Sequence, residues 1–328
     1  MSPAGRLRLL AALAVAAAAV SLFLGRYPAP GLLPIRSLFD DPMARRLLLD
    51  LRLPRVLAGL LLGASLGGAG AVFQMVFSNP LVEPGFLGVS QGAAFGAALA
   101  IVAVSGSPAV VQAGALLFAL VGLAASFLAA RAIRYGGWVL RLVLAGIAVS
   151  ALFSAGLGAL KIAAPPLSGL PEITFWLLGG LWSVSWRQVL WILPPTGLGL
   201  AVVYLLRSRL DVLSLEDRVA HSLGGAPRLE RTVLLGAATL ATAAAVSVSG
   251  LVGWVGLMAP HAARRLCGTG SRRSLPASML LGAATVVVCD DVARTLLPAE
   301  IPLGILTAVL GAAGFIALMV RRPRERGG

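Results

Sequence analysis

Charge is what this chain has least of. Only 12% of its 328 residues are charged, against about 25% in an ordinary soluble domain, while 58% are hydrophobic and the mean hydropathy is +0.92. Too little polar surface remains to face water, so lipid is the solvent. Lysine occurs once, as Lys161, and Ile162 follows it; the Gly-rich turn closed by Lys and Ser/Thr that cradles nucleotide phosphates is therefore missing. Histidine occurs twice, at His221 and His261, and no His, Cys or acid cluster has metal-ligand spacing. The two cysteines, Cys267 and Cys289, lie in or beside apolar runs and read as buried thiols, not as a disulfide framework. No apolar run holds an ionisable residue at its centre, which argues against the mid-membrane relay of a proton- or sodium-driven carrier; a passive facilitator or an inert scaffold stays open. No catalytic constellation is visible.

What the chain has is long apolar runs. A helix needs about 20 apolar residues to cross the hydrocarbon layer. On that measure spans are expected near 7–25, 56–77, 85–104, 108–130, 142–160, 188–206, 232–249, 251–266, 276–289 and 302–320. The fold class is thus an all-α polytopic membrane protein, a single domain over 1–328 with about ten transmembrane helices. The first run follows Arg6 and Arg8, shows no clear cleavage site after Leu24, and reads as an uncleaved helix. Gly63, Gly67, Gly68 and Gly70, and again Gly88, Gly92 and Gly96, are spaced to let helices approach closely in lipid.

The formal charge of +14 does not mark a nucleic-acid binder, because the basic residues sit in short connections between apolar runs. Of the 27, 18 fall at the termini and in connections on the same side: Arg6 and Arg8, Arg131 to Arg141, Arg207 to Arg231, Arg264 to Arg273, and Arg321 to Arg326. The positive-inside rule then puts both termini in the cytoplasm. Six of the remaining nine crowd into Arg26 to Arg55, so the outer loop 27–55 holds basic charge for a reason of its own. Within it Asp41-Pro42 is a helix start, a capping carboxylate followed by Pro at the first helical position, and a short surface helix leading into the second span is expected. A cytoplasmic loop over about 208–231 carries a second start signal, Ser214-Leu215-Glu216-Asp217, with a stop at Gly224-Gly225 before Pro227. That short helix suits a protein-docking element or an ordinary amphipathic connector equally.

Several segments, in order, then resemble one family: the binding-protein-dependent ABC permeases for iron–siderophore, haem and vitamin B12 import. They are Leu51-Arg52-Leu53-Pro54-Arg55, the stretch from Gln74 to Ser90 (QMVFSNPLVEPGFLGVS), Phe175 to Gly180 with Trp186, Gly253 to Leu257 with Ala259-Pro260-His261 and Arg264, and finally Asp290, Ala293-Arg294 and Glu300 to Gly304. The resemblance covers residues 1–322.

It implies a type II ABC importer permease in the bacterial inner membrane. A second copy of the chain would share the translocation path, two ATP-binding cassette subunits would hold ATP and its Mg²⁺, and a periplasmic substrate-binding protein would deliver cargo. Enzymatic activity and a cofactor are not expected of this chain. Arg52, Arg55 and Arg294 match positions that offer cations to the binding protein, against the alternative that they snorkel to the interface. Asn79 and Leu81 match residues lining the cytoplasmic end of the path, with the first turn of the fifth span beside them. There this chain has Val139 and Leu140 where cobalamin-type members carry small hydroxyl residues, which leans toward a flatter, more apolar cargo such as haem. Ser214, Leu215, Asp217, Arg218, Val219, His221 and Gly224 match the loop that couples permease to ATPase.

Overall fold

The computed structural model describes residues 3–27, 29–215 and 217–320, with backbone alone at Pro3, Asp217, Leu318 and Met319. Glu216 and the arginines from Arg321 to Arg326 lie outside the described residues. The chain runs α1 (Pro3–Phe23), a two-residue antiparallel hairpin of β1 (Leu24–Gly25) and β2 (Gly31–Leu32), α2 (Ser37–Asp40), α3 (Pro42–Arg46) and α4 (Leu53–Val76). Then come α5 (Val89–Leu99), α6 (Pro108–Ala132), α7 (Trp138–Ala163), α8 (Gly169–Leu178), α9 (Trp186–Leu205), α10 (Arg207–Leu213) and α11 (Asp217–Ser222). The last helices are α12 (Pro227–Ser249), α13 (Val255–Cys267), α14 (Ser271–Thr295) and α15 (Leu303–Val320).

Every expected span overlaps a helix. Among the described residues, seven helices are long and apolar enough to cross a membrane, and 89–104 and 303–317 are shorter apolar ones. The remaining run became α13, which carries His261, Arg264 and Arg265.

The start of α4 departs from the expected surface helix. Asp41 does cap it, its Oδ1 accepting the Met43 amide at 2.8 Å with Pro42 at the first helical position. The helix does not stop, however: a π-helical stretch over Leu47–Arg52 joins α3 to α4 as one rod from Pro42 to Val76. No proline or glycine between Ala44 and Leu53 breaks it.

α4 is the axis of the molecule. Within its apolar stretch 78% is buried, against 28% for α7 and for α9, which present most of their surface outward. Its glycines explain the depth of packing. A Cβ on Gly63 would strike the carbonyl of Gly282 in α14, and one on Gly282 would strike that of Gly63, so the two backbones touch. α5 and α6 meet in the same way at Gly96 and Gly114. Such contacts supply the dispersion energy that lipid-solvated helices need in place of a hydrophobic drive.

Candidate docking, gate and coupling sites

One end of the bundle gathers arginines. Arg55, in the first turn of α4, lays Nε and Nη2 against Asp290 of α14 at 2.8 and 2.9 Å. Its Nη1 and Nη2 also meet both oxygens of Glu300, at 2.9 and 2.8 Å. Arg294 bonds Asp291 and the Ser21 carbonyl and hydroxyl, the last at 2.8 Å. Arg52 spends Nη1 on the last carbonyls of α1, Phe23 at 2.9 Å and Leu22 at 3.2 Å. All three line one cavity of about 400 Å³, together with Arg26, Trp182 and Glu300. Burial acts to raise the Glu300 pKa, yet the hydrogen bonds and charge of Arg55, backed by Arg294 and Arg26, hold the carboxyl below its ordinary value.

The structure therefore brings Arg52, Arg55 and Arg294 together but does not leave them free. Arg52 and Arg294 are 8% and 9% exposed, and simple snorkelling does not describe them either, because each is bonded inward. The exposed cations of this end include Arg36, Arg45, Arg46 and Arg187. Asp290 and Asp291 meet Arg294 within one turn of α14, but Asp290 also neutralises Arg55 from 235 residues away, and no local pattern announces that pairing.

The other end holds the remaining expected residues. α4 stops at Phe77, which stacks on Trp138 with ring centroids 6.3 Å apart. That contact sets the Asn79-Pro80-Leu81 turn and the first turn of α7, with Val139 and Leu140, at the same end. The turn is closed by Asn79, whose Oδ1 accepts the Leu81 amide at 2.9 Å. Leu81 is 59% exposed and Leu140 is also exposed, whereas Val139 is half-buried. Farther on, Gly88 at φ +77° launches α5 and Trp254 at φ +68° launches α13. The Trp254 amide bonds the Glu83 carboxylate, so the two interrupted segments lock to each other beside an internal cavity of about 180 Å³.

At this same end Arg231 ties the loop 208–231 to the bundle, donating to the Leu213 carbonyl at 3.1 Å and lying over the Trp138 ring. Arg209 and Glu230 clamp the loop's two limbs at 2.7 Å, and Glu230 also accepts the Ala226 amide. The Ser214 hydroxyl donates back to the Asp211 carbonyl at 2.7 Å and the residue ends α10; the rest of the expected capping box falls on Glu216 and the Asp217 side chain. The Asp217 side chain is outside the described residues. The stop signal works as expected: Gly224 takes φ +75° and the Gly225 amide reaches back to Ala220 at 3.0 Å. Ala220 is fully buried, while Leu215, Val219 and Leu223 are 44%, 44% and 58% exposed. An open groove lined by Arg218, His221, Arg228 and Leu229 lies alongside.

Two ties escaped sequence reading altogether. Asp211 of α10 accepts the Ser271 amide at 2.9 Å and its hydroxyl at 2.7 Å, capping α14 from another element. Gln74 receives Arg264 at 2.6 Å and donates to the Leu257 carbonyl, pinning α13 to α4.

Known proteins share this architecture. A Helicobacter pylori protein named "Probable iron chelatin transport system permease protein" is 42% identical over 277 residues, 84% of this chain and 82% of its own length. The molybdate import system permease protein MolB of Haemophilus influenzae is 36% identical, covering 95% and 94% of the two chains. The hemin transport system permease protein HmuU of Yersinia pestis is 38% identical and covers 85% of each. A solved transporter assigned to the metal-chelate ABC type, in an inward-facing conformation, superposes with a TM-score of 0.87 at 37% identity, over 95% of this chain and 98% of that one. The family model described as the FecCD transport family matches residues 13–321. The chain is a multi-pass membrane protein that belongs to the FecCD transport family of ABC permeases.

Proposed function

We propose that this chain is the membrane permease of an ATP-driven importer that carries an iron chelate, haem among them, into the cytoplasm. The single observation that carries the assembly is the unlike chemistry of its two ends, a basic cavity at one and the exposed apolar side chains Leu215, Val219 and Leu223 at the other. The bias of basic residues puts the basic cavity outside, in the periplasm, and both termini inside. A substrate-binding protein then meets Arg36, Arg45 and Arg46 first, with Arg52, Arg55 and Arg294 beneath. Leu215, Val219 and Leu223 offer the apolar surface against which an ATP-binding cassette subunit would seat. ATP and its Mg²⁺ belong to that partner, since the one lysine here is in no phosphate loop. A second copy of the chain completes the path, two cassette subunits dock below, and about ten helices span the inner membrane.

The relatives named for iron chelatin and hemin support the cargo, and the molybdate relative makes a small oxyanion the second reading. Val139 and Leu140 favour the first, because an apolar turn offers no donor to an oxyanion stripped of water. The test is ATPase stimulation in the assembled transporter by binding protein loaded in turn with haem, ferric siderophore, cobalamin or molybdate. Stimulation by haem or ferric siderophore is expected; a response confined to molybdate or cobalamin would overturn the cargo reading.

A further inference from the structure

Arg55 carries more negative charge than it needs. Asp290 grips its inner edge with both oxygens, and Glu300 grips its outer edge with both. The two carboxylates are not equivalent. Asp290 projects from the body of α14 and its side chain is 4% exposed, whereas Glu300 stands at the cavity mouth with its side chain 38% exposed. The backbone on either side of Glu300 is tied, the Pro298 carbonyl accepting Arg26 Nη1 at 2.8 Å before it and the Ile301 amide donating to the Ala293 carbonyl at 3.0 Å after it. The Glu300 side chain can therefore leave Arg55 by turning about its own bonds, with no movement of the loop.

We infer that Glu300 holds the place of an acidic side chain of the delivering protein, and that docking exchanges one carboxylate for the other on the outer edge of Arg55. The inference rests on the reading that a protein docks at this end. The exchange suits the chemistry: the guanidinium fork accepts a carboxylate in two parallel hydrogen bonds, which no neutral side chain reproduces. Charge at Arg55 is unchanged throughout, so the buried set behind it with Asp290, Asp291 and Arg294 is never left unbalanced. Glu300, once displaced, faces solvent and the nearby charge of Arg26. An internal competitor of this kind weakens docking and hastens release, which suits a carrier that must leave after each delivery.

The test is the affinity of the assembled transporter, in lipid nanodiscs, for its cognate binding protein. E300Q should bind at least about fivefold tighter than the parent, the low end of ordinary coupling between sites. In an R55Q background the same change should add nothing, because the masked cation is gone. If E300Q does not assemble, E300D, whose shorter arm reaches Arg55 less well, should shift affinity in the same direction. Unchanged or weaker binding by E300Q, while R55Q still weakens the parent, would leave Glu300 as a plain structural counter-ion. Binding that responds neither to R55Q nor to salt would instead sink the docking reading itself.

Discussion

The two ends of α14 are held by different kinds of chemistry. At its last turns Asp290, Asp291 and Arg294 join Arg55 and Ser21 in a network almost closed to solvent. At its first turn Ser271 is capped by Asp211, and the nearby Arg209–Glu230 pair stays partly open to water. Buried ions are costly to desolvate and hold only while every partner is present; a cap and a half-exposed pair are cheap to break and remake. The arginine end is accordingly a rigid platform, and the loop end is an adjustable joint. That contrast fits a permease that receives a protein at one end and a moving ATPase at the other.

Asp290→Ala should test the platform with the largest effect, destabilising the chain by about 3–5 kcal/mol because Arg55 and Arg294 lose a buried counter-charge. A thermal melt in detergent and the folded yield would show it. Asp211→Ala removes the cap of α14 and should cost about 1–2 kcal/mol in the same assay. Glu230→Gln should cost no more than about 1 kcal/mol, and raising the salt should erase most of that difference. Equal shifts for Asp290→Ala and Glu230→Gln would remove the distinction between the ends. Smallest in stability is the pair Leu215→Asp and Val219→Asp, expected within about 0.5 kcal/mol because both side chains are already exposed. Uptake coupled to ATP should nevertheless be lost, and intact coupling would take α11 out of the ATPase interface.

How much of this could be read from the letters depends on the range of the interaction. The apolar runs were legible because crossing lipid is a local property of length and composition, and each run overlaps a helix. The Asp41-Pro42 cap and the Gly224 stop were legible for the same reason, since both act within a few residues. The Gly63 face was legible as a face, but its partner Gly282 was not. The π-helical stretch at 47–52 contains no proline or glycine of its own, and Pro54 just beyond it reads only as part of a family motif. Arg52, Arg55 and Arg294 line one cavity, but the pairing of Arg55 with Asp290 depends on the antiparallel register of α4 against α14, which no local pattern announces. Asp211 capping Ser271 across 60 residues belongs to the same class. The number of crossings is similarly not a matter of hydropathy alone, as the charged α13 shows.

The central claim is that this chain conducts cargo only as part of an ATP-driven assembly. Reconstitution in liposomes tests it most directly, with uptake of an iron chelate measured for the chain alone and for the chain with its ATPase and loaded binding protein. Uptake that appears only in the full assembly, and only with ATP, is the predicted result. Flux of comparable rate through the chain alone, without ATP, would contradict it.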